Sequence, residues 1–109
     1  MTRLRFVFQE GFEERKLLLQ HGLESVSIPD HMHSAITRYV LDHRRPGGFL
    51  TALLKNDLFT AVPLADSVNS KALSDWVKLL YNYCPAECYG SEEAVEHWLE
   101  NIKFRMEME

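Results

Sequence analysis

The stretch that decides the fold is residues 46–58, which read Pro46-Gly47-Gly48-Phe49-Leu50-Thr51-Ala52-Leu53-Leu54-Lys55-Asn56-Asp57-Leu58. Pro46 and Gly47 end one helix, because proline and glycine are common just beyond a helix C-terminus. A second helix begins near Gly48 and carries an apolar stripe. Asn56 and Asp57 interrupt this helix, and Asp57 is placed to cap a third one. The stretch therefore predicts a helix end, a corner, a helix and a new cap in immediate succession.

The flanking sequence is also helical. Ser27 and Asp30 have the form of a capping box, so we expect a helix over residues 29–45. The third helix is expected over residues 57–65, where Pro63 predicts a kink or an early end. A polar link at residues 67–69 leads to a fourth helix over residues 70–83, and Ser91 caps a fifth. The stripe predicted to face inward on the fourth helix comprises Leu73, Trp76, Val77, Leu80 and Tyr81.

Residues 1–27 have a different pattern. Apolar residues alternate at Leu4, Phe6 and Phe8, with a period of two that is typical of a strand. Gly11 and Gly22 are suited to turns, which favours a small antiparallel β-meander with further strands at residues 15–20 and 24–28. A helix over residues 12–20 is the alternative, because that segment is rich in good helix formers.

The predicted fold class is therefore mostly α (α+β). We expect a compact bundle of about five short helices with the small N-terminal β-meander. The length of 109 residues is typical of one domain. Within it we expect a β-rich extension over residues 1–27, a helical core over 28–103 and a frayed tail over 104–109.

The charge is unevenly distributed. Residues 1–91 contain equal numbers of acidic and basic residues, so the last 18 residues carry the whole net charge of −4. A neutral body with an acidic tail argues against nucleic-acid binding, which requires a basic surface. The sequence has no apolar run of the roughly 20 residues that span a bilayer, and no signal peptide is recognisable, so a cytoplasmic location without membrane contact is expected. Cys84 and Cys88 are expected to be free thiols there.

Several short motifs, taken in their order along the chain, resemble those of a known family. The motifs are Ile28-Pro29-Asp30-His31-Met32-His33, the segment from Pro46 to Ala52, Asn56-Asp57-Leu58, Gly90-Ser91 and Trp98. In this order and spacing they resemble a group of small proteins encoded by tailed bacteriophages and prophages. The resemblance covers residues 28–98. It implies a phage or prophage accessory protein that acts in the bacterial host cytoplasm, and it implies no particular catalytic residue.

The sharpest local hypothesis is an anion site, which we call the arginine corner, at Arg44, Arg45, Gly47 and Gly48. A helix that begins at a glycine exposes unpaired N–H groups, and two adjacent arginines add charged donors. A small anionic ligand or a nucleotide would fit this chemistry. The simpler alternative is that the arginines complement the preceding helix end and the glycines permit a tight corner.

Other combinations of reactive residues give weaker evidence for a functional site. The residue types that bind zinc occur at His31, His33, Cys84 and Cys88. The two histidines are two residues apart, so on a helix they point to different faces. No metal site is therefore predicted. Cys88 with His97 lacks an activating context for nucleophilic catalysis. Helix caps and turns best explain the four polar residues Asn56, Asp57, Asp66 and Asn69.

The sequence is therefore interpreted as a non-enzymatic protein without a cofactor, which binds a host or phage protein and either counters host defence or redirects host metabolism. Electrostatic contacts are expected from exposed charges and from one loop aromatic. The residues expected at this contact are Arg38, Tyr89, Glu92, Glu96 and Glu100. The arginine corner and the acidic last helix are also suited to meet across a homodimer.

Overall fold

The computed structural model describes the backbone of residues 11–108 and the side chains of residues 12–100. Over this range the chain is helical, with no β-strand. The 3₁₀ turns Asp30–Met32 and Ala86–Cys88 precede the second and the last α-helix. The α-helices are α1 Gly11–Ser25, α2 His33–Asp42, α3 Gly48–Leu54, α4 Leu58–Leu64, α5 Ser67–Lys71, α6 Leu73–Tyr83 and α7 Glu92–Met108. Two of these, α1 and α5, come in addition to the five that the sequence predicts.

The predicted N-terminal β-meander is wrong over the residues that the structure describes. Residues 11–25 form α1, which confirms the alternative helix over residues 12–20 and extends it to Ser25. Glu13 and Glu14 lie in the first turn, where acidic side chains suit the helix dipole. The first predicted strand, with its alternation at residues 4–8, lies outside the described residues.

The buried side of α1 explains why its helical pattern is weak in the sequence. Its buried positions are Arg15, Leu19 and Gly22, spaced four and three residues apart, and only Leu19 among these three has a large apolar side chain. Phe12 and Leu23 pack against the core but are only partly buried. A Cβ atom at Gly22 would lie 2.5 Å from Tyr83 Cγ and 2.8 Å from Leu79 Cδ1, so the glycine allows α1 to approach α6 closely.

Helix α2 starts later and ends earlier than predicted. The Ser27–Asp30 capping box does not form, since neither the 3₁₀ turn nor α2 has a side-chain cap; instead His33 Nε2 lies 2.9 Å from the Ile28 carbonyl oxygen. At the other end His43 adopts a left-handed conformation with φ of 59°. Its ring Nδ1 donates to the Trp98 carbonyl oxygen at 2.8 Å, and this long-range contact fixes the helix end before Pro46.

Helices α3 and α4 form a hairpin that agrees with the prediction. Helix α3 begins at Gly48, and Asn56 turns the chain with φ of 65°. Asp57 caps α4 by accepting a hydrogen bond from the Thr60 N–H at 3.3 Å. Pro63 lies inside α4, which ends one residue later, as its missing N–H group predicts.

The predicted polar link at residues 67–69 is instead the short helix α5. Asp66 caps it by accepting a 2.7 Å hydrogen bond from the Asn69 N–H. Asn69 is buried, and its side-chain oxygen accepts a hydrogen bond from the Trp76 indole N–H at 3.0 Å. Asn69 therefore has a hydrogen-bond partner in the core. The polar sequence of residues 67–69 does not predict this partner, because Trp76 is seven residues away.

The core lies between α1, α2, α3, α6 and the start of α7. The inward stripe predicted for α6 is wrong at two positions, because Val77 and Tyr81 are exposed and Leu79 is buried in their place. Leu79 lies on the side of α6 that approaches Gly22 of α1. The largest fully buried side chains are Trp76, Trp98, Tyr39, Leu19, Ile36, Leu50, Leu54, Leu79, Val40, Val95 and Cys88.

Candidate functional site

The arginine corner lies where the chain passes from α2 to α3. Gly47 precedes α3 in an extended conformation, and a Cβ atom there would meet nothing within 4 Å. Arg44 is exposed. Arg45 is exposed but already paired, because its guanidinium donates to both carboxylate oxygens of Glu96 at 2.8 and 3.0 Å.

Glu96 connects two sets of residues that the sequence analysis kept apart. Besides Arg45, it accepts a contact from Lys55 Nζ at 3.2 Å. The hydrogen bonds from Arg45 and Lys55 lower the pKa of the Glu96 carboxyl group. Arg45, from the predicted anion site, therefore pairs with Glu96, from the predicted partner contact, within one chain. This pairing connects α7 to the residues that flank α3.

The anion site stays a prediction, with Arg44 and the two glycines as its remaining members. Helix α3 has only seven residues, so its dipole is short. Gly48 is exposed, but a Cβ atom there would lie 3.2 Å from Leu64 Cδ1. These observations agree with the architectural alternative, in which the glycines permit a tight corner.

The other residues of the predicted partner contact do not form one group with Arg45. Arg38 is exposed on α2, and Glu92 and Glu100 are exposed on α7. Tyr89 is partly buried, and burial raises the pKa of its hydroxyl. A role for these four residues in binding a partner stays a prediction.

The residues considered for metal binding and catalysis have structural partners. His31 Nε2 lies 3.1 Å from Asp66 Oδ2, and the described part of the chain brings no three His, Cys, Asp or Glu side chains together as a metal site. Cys84 and Cys88 are free and buried, and burial raises the pKa of Cys84 to about 12 and that of Cys88 well above its usual value. Ser91 Oγ accepts a hydrogen bond from the Ala94 N–H at 3.0 Å, which confirms its capping role.

The most exposed apolar surface lies on α4 and the beginning of α5. We call this surface the α4 face, formed by Leu58, Phe59, Val62, Leu64 and Val68. These five are among nine large apolar side chains that are exposed over residues 12–100. Phe59 has 95% of its surface exposed, and the other four are 44–55% exposed. All five lie within residues 58–68 of the chain, and clusters of exposed apolar side chains mark interaction sites on soluble proteins.

Local sequence explains why α4 presents these side chains. The helix is short because Asp57 caps it and Pro63 ends it, so it makes barely two turns. Ala61 is its only buried residue, and this small side chain lets α4 lie close to α3. Apolar residues at neighbouring positions, such as Leu58 and Phe59, then cannot all face the core.

Sequence reasoning did not single out the α4 face. Apolar residues in a helical segment are usually assigned to the core, and nothing local shows that α3 covers only one of them. The available signal was the density of apolar residues in so short a helix, because one side of a two-turn helix accommodates only two or three of them.

Acidic groups lie at both ends of the α4 face. Asp57 is exposed at its beginning, and Asp66 stands between Leu64 and Val68. Hydrogen bonds from the Asn69 N–H and from His31 lower the pKa of Asp66. The sequence contains no lysine or arginine between Lys55 and Lys71, so this segment is apolar and negatively charged.

The comparisons with known proteins leave the family open. No protein-family model, curated protein or solved structure matches this chain. The resemblance to small phage and prophage proteins therefore stays a prediction from the motifs. None of the helices formed by the described residues has the length and apolar character to cross a membrane.

Proposed function

We propose that this protein binds another protein through the α4 face. The observation that carries the proposal is Phe59, which is 95% exposed among four other exposed apolar side chains. Leaving these groups in water costs about 25 cal/mol for each square ångström of apolar area. A partner that covers them recovers this free energy on binding, and aromatic side chains are frequent binding hot spots.

The biological setting is part of the same proposal. Following the motif resemblance, the protein is a non-enzymatic phage or prophage accessory factor in the bacterial cytoplasm. Its partner is a host or phage protein, and its role is to counter host defence. The α4 face supports the binding role, whereas the setting rests on the motifs at residues 28–98.

Affinity capture with matched surface variants tests the binding role. The wild-type chain, Phe59→Ser and Tyr81→Ser are each used to capture proteins from a bacterial lysate, with chemical crosslinking before washing. Tyr81 is the control because it is an aromatic residue, 76% exposed, on α6 and outside the α4 face. We expect wild type and Tyr81→Ser to retain the same partner and Phe59→Ser to lose it.

Folding of each variant is verified by circular dichroism and thermal unfolding. Replacing an exposed side chain changes stability little, so all three proteins are expected to unfold at similar temperatures. Equal capture by wild type and Phe59→Ser, or no capture by any of the three, would overturn the proposal.

A further inference from the structure

The chemistry around the α4 face indicates the charge of its partner. Asp57 and Asp66 flank the apolar side chains. Lys55, the nearest base before them in the chain, is only 22% exposed and is held by Glu96 at 3.2 Å. Arg44 and Arg45 are both exposed on the corner before α3, but the Arg45 guanidinium is paired with Glu96. Across residues 57–71 the two carboxylates outnumber the one exposed base, Lys71 at the end of α5, so this rim favours a positively charged partner.

The shape of the α4 face indicates the kind of element that covers it. The backbone of α4 is hydrogen-bonded within its own helix, so a partner meets side chains and no free strand edge there. Leu58 and Val62 are four residues apart, and Phe59 and Val62 are three apart. Rows of side chains with these spacings pack into the grooves of another helix.

We propose that the α4 face binds an amphipathic helix of the partner protein, with lysine or arginine residues flanking the apolar stripe of that helix. This inference rests on the proposed function. The apolar stripe packs on Phe59 and its neighbours, and the basic residues pair with Asp57 and Asp66. A second copy of this chain is less suited, because a symmetric contact through the same face brings two sets of acidic residues to one interface.

Two synthetic helical peptides test the charge preference with the full chain. Both carry the same leucine stripe, flanked by lysines in one peptide and by glutamates in the other. Fluorescence anisotropy measures binding at low ionic strength and again at higher salt. We expect the lysine peptide to bind at least about tenfold more tightly, with a difference that shrinks as salt screens the exposed charges.

Variants assign the binding to the α4 face. We expect Phe59→Ser to weaken binding of the lysine peptide about tenfold or more, as loss of a hot-spot aromatic does. Asp57→Asn combined with Asp66→Asn is expected to remove most of the charge preference, while asparagine preserves both helix caps. The matched control is Glu13→Gln with Glu14→Gln, which removes two exposed charges from α1 and is expected to leave the preference unchanged.

Each contrary outcome has a distinct meaning. If the α1 control lowers the preference as much as the aspartate variant, the preference reflects net charge and the inference is wrong. If both peptides bind equally and Phe59→Ser abolishes both, the charge inference fails and the proposed function stands. If Phe59→Ser binds both peptides as wild type does, both proposals fail.

Two further results would overturn the inference. The first is no measurable binding of the lysine peptide. The second is a sedimentation experiment in which the chain self-associates and Phe59→Ser is monomeric, because the α4 face would then bind a second copy.

Discussion

The Tyr39 hydroxyl donates a 2.7 Å hydrogen bond to the carbonyl oxygen of Cys88, and both residues are fully buried. The Tyr39 carbonyl oxygen in turn accepts a 2.9 Å hydrogen bond from the Trp98 indole N–H. One residue of α2 thus holds the 3₁₀ turn before α7 and α7 itself. Burial raises the pKa of Tyr39 well above its ordinary value, so the hydroxyl remains a donor throughout the physiological pH range.

Removing this hydroxyl is expected to destabilise the protein. Tyr39→Phe leaves the Cys88 carbonyl oxygen without this donor in the core, which costs about 1–3 kcal/mol of the free energy of unfolding. Urea denaturation followed by circular dichroism measures the change. Tyr81→Phe is the control, because Tyr81 is exposed and its hydroxyl is not required by the fold. Equal stability of Tyr39→Phe and wild type would contradict the assigned hydrogen bond.

The close approach of α1 and α6 makes Gly22→Ala destabilising, although alanine is the better helix former. The added methyl group meets Tyr83 and Leu79 at less than 3 Å, and overpacking of this kind typically costs about 1–3 kcal/mol. Gly47→Ala is the matched control, with open space around its Cβ position and a small expected change. Thermal unfolding of the two variants gives the comparison. A Gly22→Ala variant as stable as wild type would argue against this helix contact.

Asn69→Ala leaves the Trp76 indole N–H without its acceptor in the core. The expected cost is about 1–3 kcal/mol, measured by urea denaturation. Asn82→Ala serves as the control, because Asn82 is exposed on α6 and such substitutions usually change stability by less than about 0.5 kcal/mol. Similar effects of the two substitutions would show that Asn69 does not serve as a core acceptor.

The pairing of Glu96 with Arg45 and Lys55 gives stability a defined pH dependence. Because the folded-state pKa of Glu96 is lowered, its contribution is present above the unfolded-state pKa and is lost as the pH falls through the folded-state value. Glu96→Gln is therefore expected to lower the unfolding temperature slightly at neutral pH and to match wild type in strong acid. Glu100→Gln, at an exposed position on α7, is the control and is expected to resemble wild type throughout. A deficit of Glu96→Gln that persists unchanged into acid would exclude the ion pair as its cause.

The two buried thiols are expected to be inert in the native protein. Burial raises the pKa of both Cys84 and Cys88, and the thiolate is the reactive form. A colorimetric thiol reagent at mildly alkaline pH is expected to label neither cysteine within minutes and to label both in denaturant. Rapid labelling of the folded protein would show that the region from Cys84 to Cys88 opens readily.

Helix caps and helix ends in this protein depend on nearby residues, whereas the packing of the helices depends on distant ones. The caps at Asp57 and Ser91 and the early end of α4 at Pro63 were predictable, because each depends on groups within a few residues along the chain. The β-meander was a wrong prediction over residues 11–25, because Arg15 and Gly22 take two of the three buried positions of α1 and weaken its apolar periodicity.

The candidate site depends on contacts between residues that are far apart in the sequence. Arg45 and Glu96 are 51 residues apart, so no local pattern predicted that they pair within one chain. The exposure of Phe59 likewise depends on which side of α4 rests on α3, and in this protein only Ala61 is buried there. The sequence alone therefore identified the arginine corner but not the α4 face.

By itself, the sequence determined where helices begin and end between Pro46 and Ser91, with the exception of α5, because capping groups and proline act over a single turn. Only the tertiary structure decided which apolar side chains are covered. Phe59, Val77 and Tyr81 are exposed, whereas Ala61 and Leu79 of the same helices are buried. The physical reason is that burial is a property of packed surfaces, and those surfaces form from residues that are distant along the chain.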